Sequence, residues 1–73
     1  MRVYSVYIGE RYRQRELIGI YSKSQKALEV AVALLSEQKG KWWPRNLDKD
    51  ETGIIRAWQS TWEEIIVYEH EVI

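Results

Sequence analysis

Seventy-three residues, 45% hydrophobic and 30% charged, with the two kinds interspersed, fit one small folded domain (residues 1–73); at this size folding removes only about 60% of the exposed surface. The absence of cysteine excludes disulfide staples, zinc–thiolate sites, iron–sulfur clusters and cysteine nucleophiles, so apolar packing must hold the fold. Basic and acidic side chains number eleven each, which on average points to neither nucleic acid nor membrane, but they are segregated: residues 1–45 hold nine basic and four acidic ones, residues 46–73 two and seven.

In chain order, Val3 to Ile8 (VYSVYI) and Glu16 to Tyr21 (ELIGIY) are β-branched and aromatic, and predict two strands of a hairpin joined by a polar segment from Gly9 to Arg15. Ser22 and Gln25 have the spacing of a capping box, which predicts a helix start. Ala27, Leu28, Ala31, Leu34 and Leu35 then recur at helical spacing, and Gly40 is placed for a left-handed C-terminal cap, so the helix is expected over about residues 23–39.

From Gly40 to Gly53 the periodicity stops, and Pro44, Asn46, Asp48 and Asp50 predict a long loop. Ile54 to Trp58 and Glu64 to Ile73 read as two further strands around Gln59, Ser60 and Thr61. Ile55, Trp58, Trp62, Ile65 or Ile66, and Glu69 also fit helical spacing, with Thr61 and Glu64 as a second capping box; the β-branched and aromatic run Ile65 to Tyr68 favours strands. The expected fold is α+β: an antiparallel sheet of about four strands (ββαββ) covered on one face by an amphipathic helix.

A strand of about six residues and a helix of about sixteen both span about 20–24 Å. The helix therefore returns to the hairpin tip and brings Lys39, Lys41, Trp42, Trp43 and Arg45 to the end that carries Arg11, Tyr12, Arg13 and Arg15. If strand geometry continues through the tip, its three guanidiniums share one face. Arginine forks grip carboxylates or phosphates, and indoles stack on bases or fill pockets on protein partners, so this end is the expected partner-binding site. The bland alternative is a solvated turn with two Trp residues plugging the core. Four Trp and five Tyr with no Phe suit interfaces, whereas a small core also recruits large rings for their area.

Catalytic, cofactor and metal patterns are weak. His70, the only histidine, lies between Glu69 and Glu71, whose side chains point to the opposite face of a strand, and Ser5, Ser60 and Thr61 have no nucleophile-elbow context. Asn46-x-Asp48-x-Asp50 begins like a calcium loop, but Glu51 replaces the required glycine and Ala57 the bidentate glutamate. The adjacent acidic pairs Glu63–Glu64 and Asp50–Glu51 give paired-carboxylate chemistry little support, and no phosphate-cradling glycine loop is present. The expectation is a protein that is not an enzyme and needs no cofactor or metal. The longest apolar run, Val30 to Leu35, is too short to span a membrane and no signal-like progression opens the chain, so a cytoplasmic location is expected.

Val3-Tyr4-Ser5-Val6-Tyr7, then Ile18-Gly19-Ile20-Tyr21-Ser22 leading into Lys26-Ala27-Leu28-Glu29, and the stretch from Trp62 to Ile73 resemble the short ββαββ accessory proteins of bacterial phages. The loop from Gly40 to Gly53 departs from that pattern. Length and charge layout are similar to the RNA-polymerase-binding transcription regulators, inhibitors and antiterminators, of Xanthomonas phages. The resemblance implies a protein acting in the host cytoplasm by contact with a host machine, RNA polymerase first and a defence nuclease complex next; it transfers no binding residue. Direct nucleic-acid binding through the basic tip is the competing expectation, and steep salt dependence would distinguish it.

Overall fold

Alternating β-branched and aromatic residues organise the chain into one sheet. The computed structural model describes residues 1–11, 13–47 and 53–72. The elements are β1 (Arg2–Glu10), β2 (Arg15–Tyr21), α1 (Ser24–Glu37), β3 (Trp43–Pro44), β4 (Ile54–Gln59) and β5 (Glu63–Glu71). All neighbouring strands are antiparallel, in the order β2-β1-β5-β4-β3. The expected α+β fold is found, with five strands instead of four because Trp43–Pro44 pairs with β4 inside the expected loop. Pro44, which has no N–H to donate, sits in the edge strand, where that loss is tolerated.

The first and last strands, β1 and β5, form the centre, in register from Arg2↔Glu71 to Glu10↔Glu63. Along β1, Tyr4, Val6 and Ile8 face α1, and Ser5, Tyr7 and Gly9 face away from it. The core joins Val6, Ile65 and Val67 to Ala27 and Ala31 of the helix, with Leu28, Val30, Leu34, Leu35, Trp42, Ile55 and Trp58 packed around them. Alanines at the contact let the helix settle close to the sheet, so its stripe centres on Ala27 and Ala31 and its leucines fill the flanks. Ile65, Ile66 and Val67 are all buried, which uses both faces of β5; a helix over this run does not form. In place of the second capping box, Ser60 accepts the Glu63 N–H on its hydroxyl (3.1 Å) and donates its own N–H to the Glu63 carbonyl (2.9 Å), closing the β4–β5 turn.

The first capping box is not formed either. The N-cap is Lys23, in extended conformation (φ −125°, ψ 135°) and without a side-chain bond, so Ser22 stands one residue too early. At the other end Gln38 caps the helix, donating its backbone N–H to Leu35 O (3.1 Å) and its side-chain amide to Leu34 O (3.1 Å). The helix thus ends at Glu37, and Gly40 (φ 87°) serves the turn after it. Among the described residues no helix is long and apolar enough to cross a membrane.

Candidate functional site: the arginine and aromatic face of the sheet

Strand register aligns one row of residues across all five strands on the face away from the helix: Arg15, Gly9, Glu64, Gln59 and Trp43. At about 4.8 Å per strand this row spans about 19 Å. The next row runs Leu17, Tyr7, Ile66 and Ala57, and the Arg45 N–H extends it by donating to the Ala57 carbonyl (2.9 Å). The hairpin end and the post-helix segment therefore lie at the same end of the sheet, on its two opposite edges, as chain geometry leads one to expect.

The candidate residues separate within this end. Arg15, Trp43 and Arg45 belong to the helix-free face, and Lys41 is exposed beside them in sequence. Arg11 and Arg13 lie in the turn between β1 and β2, because the strands stop at Glu10 and resume at Arg15; strand alternation therefore does not align the three guanidiniums. Arg11, Arg15 and Arg45 instead line a shared depression around Glu64. The Arg11 N–H donates to the Trp62 carbonyl (2.8 Å) and ties the hairpin tip to the β4–β5 turn. Trp42 departs from the expected surface site: its ring packs on the core and its indole N–H points to Lys39 O (3.4 Å). Tyr12, Asp48, Asp50, Glu51 and Ile73 lie outside the described residues.

Glu64 organises the face. It is 4% exposed, and its Oε1 accepts from Arg15 Nε (2.8 Å) and lies 2.6 Å from Arg15 Nη2, while Oε2 lies 3.6 Å from Arg45 Nη1. A carboxylate at this depth requires such partners, since an unpaired buried charge is heavily penalised. Ile66 is fully buried although no helix covers it, because long side chains lie down over this face: Arg15 bridges from β2 to Glu64 on β5 and gives Nη1 to the Tyr68 hydroxyl (3.0 Å).

Beside this network Tyr7, Arg13, Arg15, Tyr68 and His70 line an open cleft of about 350 Å³. Tyr7 meets Tyr68 edge to face (centroids 5.5 Å, 90°), and Tyr68 and His70 lie nearly parallel (5.9 Å, 28°). Ser5 Oγ and His70 Nε2 are hydrogen-bonded at 2.8 Å. The Ser5 hydroxyl belongs to a residue only 2% exposed, so the pair satisfies a buried polar group and offers no accessible nucleophile. Among the described residues no three His, Asp or Glu side chains converge as a metal site would require.

Two features escaped the sequence reading. Trp62 is 77% exposed in the β4–β5 turn, and with Glu10, Arg11, Arg13 and Thr61 it lines a second cleft. The aromatic group Tyr7, Tyr68 and His70 was legible only as alternating strand residues, because placing it on a solvent face requires knowing which side the helix covers. Comparison with protein-family models, curated proteins and solved structures finds no match.

Proposed function

We propose that the protein is a non-catalytic, phage-type binding module that docks on a host macromolecular machine and modulates it, with bacterial RNA polymerase as the first target. The observation that carries this reading is Trp62, 77% exposed beside Arg11 and Arg13, with Trp43 (39% exposed) on the edge strand β3 at the same end of the sheet. Exposed indoles flanked by arginines are the usual anchors of protein interfaces: truncating such anchors typically costs binding about 2 kcal/mol or more, while surrounding charges tune association rate. The choice of RNA polymerase rests on the phage resemblance, and a defence nuclease complex is the next machine in line.

Binding to purified bacterial RNA polymerase, after nuclease treatment of both proteins, tests the reading together with a transcription assay on the same mixture. A complex that survives nuclease, weakens with Trp62→Ala and changes transcript yield or read-through is the expected result. No complex, or one indifferent to Trp62→Ala and Arg11→Ala in folded variants, would remove RNA polymerase or this surface from the proposal. The same measurement on a defence nuclease complex decides whether the target is that machine.

A further inference from the structure

We propose that the helix-free face is a second binding site, for single-stranded nucleic acid, in which a base stacks on the Tyr7–Tyr68–His70 cluster and adjacent phosphates engage Arg13 and Arg15. This reading shares Arg13 with the docking surface around Trp62 but stands on Tyr7, Arg15, Tyr68 and His70, which line a separate cleft.

Charge sorting is the first observation. Register puts Glu16, Glu63, Glu69 and Glu71 on the helix side of the sheet together with Glu10 at the end of β1, through the pairs Ile8↔Glu16, Glu10↔Glu63, Tyr4↔Glu69 and Arg2↔Glu71. Among the described strand residues, Glu64 is the carboxylate left on the other side, and Arg15 and Arg45 already neutralise it. A chain of zero formal net charge thereby presents one cationic face, reinforced by Arg13 from the turn. The Arg13 guanidinium forms an exposed ion pair with Glu10 (3.5 Å), a weak contact of the kind a phosphate readily replaces.

Ring geometry is the second. His70 is the exposed outer member of three contacting rings, so a base can add to the group as the next ring. The rings are held in place beforehand: His70 by Ser5, and Tyr68 by Arg15, which Glu64 fixes in turn. The cleft is within the usual size range of small-ligand sites and is walled by both guanidiniums and rings, the combination that a nucleotide satisfies with its phosphate and its base. A duplex cannot use it, because paired bases keep their faces covered by their neighbours in the stack.

The test is fluorescence anisotropy with labelled oligo(dT) and oligo(U) of about a dozen nucleotides, and with a duplex of equal length, at low salt. Single strands of either sugar should bind about tenfold or more tightly than duplex, with affinity falling as salt rises. Tyr68→Leu should weaken this binding by about tenfold, Tyr68→Phe should retain it, and Trp62→Ala should leave it unchanged while weakening the protein complex. If Tyr68→Leu fails to fold, His70→Leu at the exposed outer ring supplies the same comparison. The inference is overturned if folded protein does not bind the single strands, if duplex binds as tightly, or if folded Tyr68→Leu and His70→Leu variants bind like the parent.

Discussion

Arg15 reaches Glu64 across a strand that lies between them, and the intervening position is Gly9. A Cβ at Gly9 would lie 2.7 Å from Arg15 Cα and 2.8 Å from Gln14 O, distances that real Cβ atoms do not adopt. The absent side chain therefore lets the β1–β2 turn close and leaves Arg15 a path over β1 to the buried carboxylate. Gly9→Ala should destabilise the protein by about 1–3 kcal/mol, since backbone, not a flexible side chain, must move. Urea unfolding measures this, and a variant as stable as the parent would mean that the hairpin tip relaxes freely.

Removing one partner of the buried pair should cost more than removing both. Breaking a buried ion pair typically costs about 3–5 kcal/mol, and because the Arg15 side chain is 36% exposed, Arg15→Leu should fall below that range, at about 2 kcal/mol. Arg15→Leu combined with Glu64→Leu should be more stable than additivity allows. A double-variant cycle with no coupling would show that Glu64 draws its compensation from Arg45 instead.

The helix contact should reject volume more than it resents its loss at the flank. Ala31 is fully buried against the sheet, whereas Val32 is exposed on the far side. Ala31→Leu should cost about 1–3 kcal/mol by overpacking, a large share of the stability of a chain this small, while Val32→Ala should leave the thermal midpoint nearly unchanged. Equal effects at both positions would place the helix face wrongly.

The two neighbouring tryptophans should behave differently from each other and from Trp62. Trp42→Ala removes core packing and should lower stability by several kcal/mol, about 3–5 at most. Trp43→Ala and Trp62→Ala should leave folding nearly intact and act on partner binding, chiefly through the dissociation rate. Calorimetry and surface-based binding kinetics on the same three variants separate the roles. A Trp62→Ala protein that unfolds early would make that ring structural.

His70 carries a stability role that can be measured apart from any binding. His70→Ala leaves the buried Ser5 hydroxyl without its observed partner and should cost about 1–3 kcal/mol, whereas Ser5→Ala should cost less and should remove most of the further loss on His70→Ala. Additive losses would show that water replaces His70 on Ser5.

Local chemistry determined the elements. VYSVYI and EIIVYEHE carry strand residues at strand spacing, the run from Ala27 to Leu35 carries a helical stripe, and the matching lengths of strand and helix bring Arg15 and Arg45 to one end. Tertiary structure decided what those patterns left open. Alternation divides β1 into Tyr4, Val6 and Ile8 against Ser5, Tyr7 and Gly9, but both sets contain tyrosine, and only the docking of Ala27 and Ala31 selects the buried one. The central pairing of β1 with β5 joins residues from opposite ends of the chain, and through it Ser5 meets His70 and Arg15 meets Glu64. Capping failed as a guide because the helix starts where Ala27 and Ala31 meet the sheet, one residue past the position that Ser22 would cap. Spacing along the chain records local periodicity, whereas the candidate site is a row across strands, and a row exists only once the strands have found their neighbours.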